Sequence, residues 1–347
     1  MPSPQLTERE RRVLEAVIQS YVETAEPAGS RVIARRFGLG VSPATIRNTM
    51  SDLEEKGFLF HPHTSAGRVP TDMAYRVYVD SLMRVAPPAA ATRAGLLEQL
   101  ASGGTAIEAI LRRAAQMLGV LTSELGVALG PRLEEARLER LELIRVSPDR
   151  LILVLRLAGG VAQSIFVEVP GEIAENALAE VAVVLNERLS GLTLSEIRTS
   201  LSSRLRDVGT AGDSAELLNI FIQEGEQIFD VARPLTDPQI LLGRASVLAE
   251  QPEFASGENM RRLVALTERP EALGELLRKR TATPGVTITI GNEHTDPNFA
   301  DFTVVSSEYS AGALSGVIGV IGPTRMPYEK VISLVTHTSR LISDLLD

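Results

Sequence analysis

Between residues 42 and 57 the chain spells out one complete short helix. Ser42 is a helix N-cap, Pro43 suits the first helical position, and Gly57 is a stop signal. Within it Ile46, Met50 and Leu53 recur at i, i+4 and i+7, so a single narrow stripe is buried. So short a helix needs neighbours to pack against, and the flanking sequence supplies them. Residues 6–24 carry Val13, Leu14, Val17, Ile18, Tyr21 and Val22 on one face, opened by a Thr7/Glu10 capping box. After the Pro27-Ala28-Gly29 break, Ser30 caps a helix over 31–37, with Val32, Ile33 and Phe37 facing inward. A tight turn at 38–41 leads into the third helix. Phe58-Leu59-Phe60 then reads as a strand, 61–68 as a polar loop, and Val69-Pro70 as the way out. Three helices followed by strand–loop–strand are the parts of a winged helix-turn-helix. A fourth helix, 71–85, follows with Tyr75, Tyr78, Val79 and Leu82 on one face.

The stripe turns Thr45, Arg47, Asn48 and Ser51 outward on the third helix. Arg can grip guanine bidentately, Asn can pair with adenine, and small hydroxyls can bond phosphate or base. Ser42 places backbone N–H groups of the helix start where a phosphate could sit. An ordinary solvated face would use similar residues, but the turn before and the wing after favour double-stranded DNA. In the wing, Gly67 permits a tight hairpin and Arg68 can reach the DNA backbone or minor groove. Residues 1–85 hold 11 Lys+Arg and 10 Asp+Glu, against 24 and 34 in the remainder. DNA binding therefore rests on a local basic face, drawn from Arg31, Arg35, Arg36, Arg47 and Arg68, and not on net charge.

At 347 residues the chain has room for two or three domains. The segmentation expected is a head over 1–85, a linker over 86–103, an α+β domain over 104–206 and 283–347, and a mostly helical insertion over 207–282. The Pro87-Pro88 start makes the linker semi-rigid, so the body should set the spacing of two heads. A long helix is expected over 106–125. Three strands, 138–146, 151–157 and 161–169, form a meander, and a helix follows over 172–189. Strands at 286–290, 302–307 and 316–321 precede a closing helix over 328–346. In the insertion, helices at 215–229 and 259–279 carry Leu217, Leu218, Phe221, Ile222, Leu263, Leu266 and Leu276. That is more apolar surface than a small insertion can bury alone, so these residues are expected to form a homodimer contact.

Other chemistries find few residues to work with. There is no cysteine, which removes disulfides, thiol nucleophiles and cysteine-ligated metals. His61 and His63 alternate as metal ligands can, but no third histidine or carboxylate lies nearby in sequence. Glu293, His294, Asp296 and Asp301 form the one dense acid–histidine cluster, and Asp296-Pro297-Asn298 there reads as a polar turn. The glycine-rich 312–323 stretch lacks the Gly-Lys-Ser/Thr ending of a phosphate-binding loop and reads as a packed strand and turn. No catalytic residue, metal or cofactor is expected. No apolar run is long enough to span a membrane, and residues 1–4 have no signal-peptide character, so a cytoplasmic protein is expected.

Longer motifs point to a family. The run Ser42-Pro43-Ala44-Thr45-Ile46-Arg47-Asn48, then Asp52-Leu53-Glu54, then 62–71 (PHTSAGRVPT), resembles the heat-inducible transcription repressor family, HrcA. So do 74–80 (AYRVYVD) and 316–328 (GVIGVIGPTRMPY). The resemblance implies a winged-helix head, a GAF-like domain and a dimerising insertion within it. It implies a homodimer that represses chaperone operons through an inverted-repeat operator, with the chaperonin as modulator. It carries Pro43 and the wing residues His63 and Ser65 into the DNA-contacting set beside Ser42, Thr45, Arg47, Asn48, Ser51 and Arg68. A repressor controlled by a small ligand in the GAF-like domain is the alternative.

Overall fold

The computed structural model describes residues 6–62, 67–102, 107–131, 133–158, 161–171, 173–209, 211–229, 240–280, 285–312 and 314–346. The chain is α+β, and its buried apolar side chains gather into three clusters. The head opens with α1 (Glu8–Thr24), where Thr7 and Glu10 cap each other as the sequence requires. Next come α2 (Ser30–Phe37) and α3 (Pro43–Glu55). Leu14, Val17, Ile18, Ile33, Ile46 and Leu53 are fully buried where the three meet. Val32, expected inside, is exposed, because the inner face of the short α2 is formed by Ile33, with Ala34 and Phe37 packed beside it. The strands β1 (Leu59–Phe60) and β2 (Val69–Pro70) pair antiparallel, and an Ala28–Arg68 bridge extends that ladder. α4 (Asp72–Val77) runs into a single π turn, Tyr78–Leu82.

The segment expected as a linker is mostly helix. α5 (Ala90–Ala101) buries Leu96 and Leu100, and it packs on α6 (Ile107–Thr122). Alanine after a proline pair looks like a spacer, yet alanine is the best helix former, and two leucines suffice for docking. The helix expected to reach residue 125 stops at Thr122. Ser123 takes a left-handed φ of 63°, and β3 (Leu125–Leu129) begins at once. That strand hides in the sequence because its residues are buried on both faces and show no alternation.

The meander forms as expected: β4 (Leu138–Ser147), β5 (Arg150–Leu157) and β6 (Val161–Glu168) are a sheet of their own. Its inner face is covered by α7 (Glu175–Leu189), α8 (Leu194–Leu205) and α9 (Asp213–Ile228). The chain returns as β7 (Ile240–Leu242), which pairs with β3, Val127 facing Leu242. After α10 (Ser246–Ala249), α11 (Gly257–Thr267) and α12 (Pro270–Arg278) come β8 (Val286–Ile290), β9 (Phe302–Ala311), β10 (Leu314–Pro323) and α13 (Tyr328–Leu346). The single helix expected over 259–279 breaks because Pro270 starts a new one.

The large sheet runs β7-β3-β10-β9-β8, with every neighbouring pair antiparallel. Val305, Ile318 and Val320 join the cluster of α5, α6, α13 and the head. Val304, Val317 and Ile321 join that of α10–α12. With both faces covered, β10 is buried almost throughout, so the glycine-rich stretch does hold a packed strand.

This topology redraws the expected domains. The strands 138–169 and 286–321, expected within one α+β domain, lie in two separate sheets. The excursion between the adjacent strands β3 and β7 contains the meander and α7–α9, all on one core that Leu314 of β10 also joins. The expected insertion, 207–282, straddles two cores: α9 belongs to the meander unit, while β7 and α10–α12 belong to the large sheet.

The expected dimer residues are reassigned for the same reason. Leu217, Leu218 and Phe221 are buried in the meander core, with Ile222 packed at its margin. Leu263 and Leu266 are buried in the other cluster, with Leu276 packed against it. Helical spacing identified apolar faces correctly but could not say that this same chain covers them. Exposed apolar side chains lie instead on the outer face of the meander, at Ile144, Val146 and Phe166. Ile144, Ile152 and Phe166 form one cross-strand row there.

Candidate nucleic-acid interface

α3 is anchored at both ends. At its start the Ser42 hydroxyl accepts from the Thr45 N–H at 3.1 Å, and the two hydroxyls lie 3.0 Å apart. At its end Lys56 donates to Glu10 of α1 at 2.7 Å. Burial pushes the Glu10 carboxyl up, but Lys56 and the Thr7 cap outweigh it and hold it below the usual carboxylate range. The charged pair is therefore kept across neutral pH, and α3 stays fixed on α1.

The outward residues divide. Ser42, Pro43, Arg47 and Asn48 are exposed, and Thr45 and Ser51 are half-buried. Among the described residues, the side chains of Arg47 and Asn48 have no hydrogen-bond partner, so their donors and acceptors are free for a ligand. Ser42 and Thr45 are occupied with each other, which makes the N-terminus of α3 a rigid lip of backbone amides. Arg31 and Arg35 on α2 are exposed as well, with no ion pair among the described residues. Arg36 is taken up: it pairs with Glu23 and lies 5.7 Å from the centre of the Phe37 ring.

Arg68 does not reach outward as expected. Its side chain is only 12% exposed, and its guanidinium meets Glu54 of α3 at 2.6 Å. His61 meets the other oxygen of Glu54 at 2.9 Å. Glu54, which the sequence offered only within the Asp52-Leu53-Glu54 motif, is thus the post that holds the base of the 61–68 loop to α3. Backbone bonds between Arg68 and Ala28, 2.8 and 2.9 Å, hold the other side. A Cβ on Gly67 would come within 2.5 Å of the Pro27 and Ala28 backbone, so glycine is needed for close approach here. His63 and Ser65 lie outside the described residues.

The acid–histidine cluster is structural. Glu293 pairs with Arg76 at 2.5 Å, Asp301 with Arg262, and Asp296 accepts from the Asn298 N–H at 2.9 Å. No grouping of three potential metal ligands occurs among the described residues, and none of their helices is long and apolar enough to cross a membrane.

Comparison with known proteins decides the family. Residues 108–332 match the family described as HrcA protein C terminal domain. A Chlorobium chlorochromatii protein named heat-inducible transcription repressor HrcA is 39% identical, covering 99% of this chain and 98% of its own. The chain belongs to the HrcA family. A Geobacter sulfurreducens HrcA is 37% identical, again over 99% and 98%, so the match includes the head as well as the body. HrcA proteins are transcription repressors and not enzymes, which agrees with the structural roles of Glu293, Asp296 and Asp301. A crystal structure titled only as a hypothetical protein at 2.2 Å resolution shares the fold, with a TM-score of 0.66 and 23% identity over 99% of each chain.

Proposed function

We propose that this chain is a heat-shock repressor whose head reads DNA as a winged helix. α3 enters the major groove, Arg47 and Asn48 contact base edges, and Arg31 and Arg35 hold phosphate. The observation that carries this reading is the pairing of two free, exposed polar side chains on α3 with a helix braced at both ends. Rigid presentation keeps the ordering cost of groove contacts small. The proposed contact set is Ser42, Pro43, Thr45, Arg47, Asn48 and Ser51, with His63 and Ser65 on the wing. Arg68 serves as the wing's anchor.

The homodimer, the inverted-repeat operator and modulation by the chaperonin come with the family resemblance. The dimer draws physical support from the outer meander face, where Ile144, Val146 and Phe166 stand exposed on a sheet whose other side is fully covered. Binding-site selection from random duplex DNA by the purified chain tests the whole reading; an inverted repeat is expected. On that repeat Arg47→Ala and Asn48→Ala should each weaken binding by about 1–3 kcal/mol. Normal affinity in both variants would remove α3 as the reading element.

A further inference from the structure

The head does not hang from the body by its linker. Residues 83–89 run as plain chain, with Met83 packed on the shared apolar cluster and Ser333 donating to the Ala86 carbonyl at 2.5 Å. A seam of side chains joins the two parts instead. At its middle Tyr75 of α4 packs on Tyr328 of α13, ring centres 5.7 Å apart, both fully buried.

Polar bonds surround this aromatic pair. On one side Arg76 makes a forked contact with Glu293, 2.7 and 2.5 Å, and donates to the Ile288 carbonyl at 2.8 Å. Beside it Asp72 accepts from the backbone and side-chain nitrogens of Asn292, at 3.0 and 2.8 Å. Gly291, with φ of 50°, lets that turn come close; a Cβ there would fall 2.3 Å from the Asp72 carboxylate. Tyr78 donates to Glu329 of α13. Farther along the seam Arg325, held by a forked pair with Glu253 of the body, donates to the Val22 carbonyl near the end of α1 at 2.7 Å. Bonds from α1, α4 and the turn after α4 beside a packed aromatic centre restrain rotation more than a single hinge does. Forked arginine contacts are also directional, so they fix angle as well as distance.

A reading helix held this way points in a direction set by the body. We propose that Arg76 and Arg325 are positioning residues of operator recognition. Through the seam they fix where α3 lies on the body, and so they set which half-site spacing two heads accept. This inference rests on the two-headed operator reading above. Neither residue touches DNA.

The test uses the full chain and the inverted repeat it selects from random duplex DNA, rebuilt with the spacer lengthened or shortened in single base pairs. Each step turns one half-site by about 34° and shifts it by ~3.4 Å, so a fixed pair of heads should favour one spacing by roughly tenfold or more. Arg76→Gln, Glu293→Gln and Arg325→Lys keep side-chain bulk while losing the forked bonds. They are expected to flatten the profile to within about threefold, while a duplex with a single half-site binds as tightly as it does to wild type. A wild-type profile retained in all three variants overturns the proposal. So does equal weakening at every spacing and on the single half-site, which would make the seam merely structural. A flat profile in the wild-type chain would refute the two-headed reading itself, and this proposal with it. Arg47→Ala, which lies off the seam, should lower affinity at every spacing without changing the profile's shape.

Discussion

Two phenylalanines of the meander unit separate folding from assembly. Phe221 of α9 is 0% exposed in the meander core, whereas Phe166 of β6 is 66% exposed on the sheet's outer face. Replacing a fully buried Phe by Ala removes its burial and leaves a cavity, costing about 3–5 kcal/mol. For Phe166 only about a third of a ~150–250 Å² side chain is buried, or ~50–80 Å². At ~25 cal/mol/Å² its loss costs the monomer about 1–2 kcal/mol. If the outer face is the dimer contact, an aromatic at its centre is worth about 2 kcal/mol or more of association, which is roughly thirtyfold in the dissociation constant. The assay combines urea unfolding with sedimentation equilibrium over a concentration series, because dimerisation itself raises apparent stability. Phe221→Ala should lower the unfolding midpoint sharply. Phe166→Ser should shift the dimer equilibrium with a small change in midpoint. Dissociation by Phe221→Ala at unchanged stability, together with wild-type association of Phe166→Ser, would restore the α9 contact and refute this reasoning.

Two further predictions concern stability. His294 is 8% exposed, and burial, with Arg280 adding to it, pulls its imidazole down to about 4 against the weaker opposing pulls of the Phe302 backbone and Glu293. Its folded pKa lies below the unfolded value, so the stability it contributes is present above about pH 6.5 and lost as pH falls toward about 4. Up to about 3 kcal/mol is at stake, and His294→Gln should flatten that acid limb in urea titrations; an unchanged limb would assign it elsewhere. Gly67→Ala should force the wing base away from Pro27 and Ala28 and cost about 1–3 kcal/mol. Amide exchange should quicken at Ala28 and Arg68, and unaltered protection there would show that the close approach is not needed.

The head was legible because its signals are local. Caps at Thr7 and Ser42, proline at position 43 and the 46–50–53 stripe each act within one or two turns, and all agree. The closing helix, Tyr328–Leu346, was legible from its period alone. What stayed hidden depends on partners remote in sequence. The partner of β3 across the small edge of the sheet is β7, and only that pairing reveals where the insertion leaves and returns. Likewise Arg68 and Arg47 look alike as exposed basic residues of a DNA-reading head. Glu54 distinguishes them, and whether an arginine two segments away folds back onto it is a matter of tertiary geometry. Leu217 and Leu263 failed in a similar way: both are apolar and both are buried, but the lid over each was assigned to a second copy when it comes from the same chain.

The acidic body and the need to hold a polyanion are reconciled by where the acids are spent. Residues 86–347 carry ten more acids than bases, yet at the seam Glu253, Glu293 and Glu329 each bond a head residue or Arg325. Burial pulls the Glu293 carboxyl upward, but Arg76 and the Ile290 N–H overcome it and keep it below its ordinary range, so the charge persists and stays neutralised in place. Within the head, Glu54 is shared by Arg68 and His61, Glu10 by Lys56, and Glu23 by Arg36. Unpaired among the described residues near α3 are the bases Arg31, Arg35 and Arg47, and, toward the C-terminal end of α3 and away from its Ser42 lip, the acids Asp52 and Glu55. Unpaired acids farther along the body are screened over ~8 Å at physiological salt. If α3 is the reading helix, the seam acts twice: it orients that helix, and it keeps the carboxylates bonded within it from opposing the phosphates.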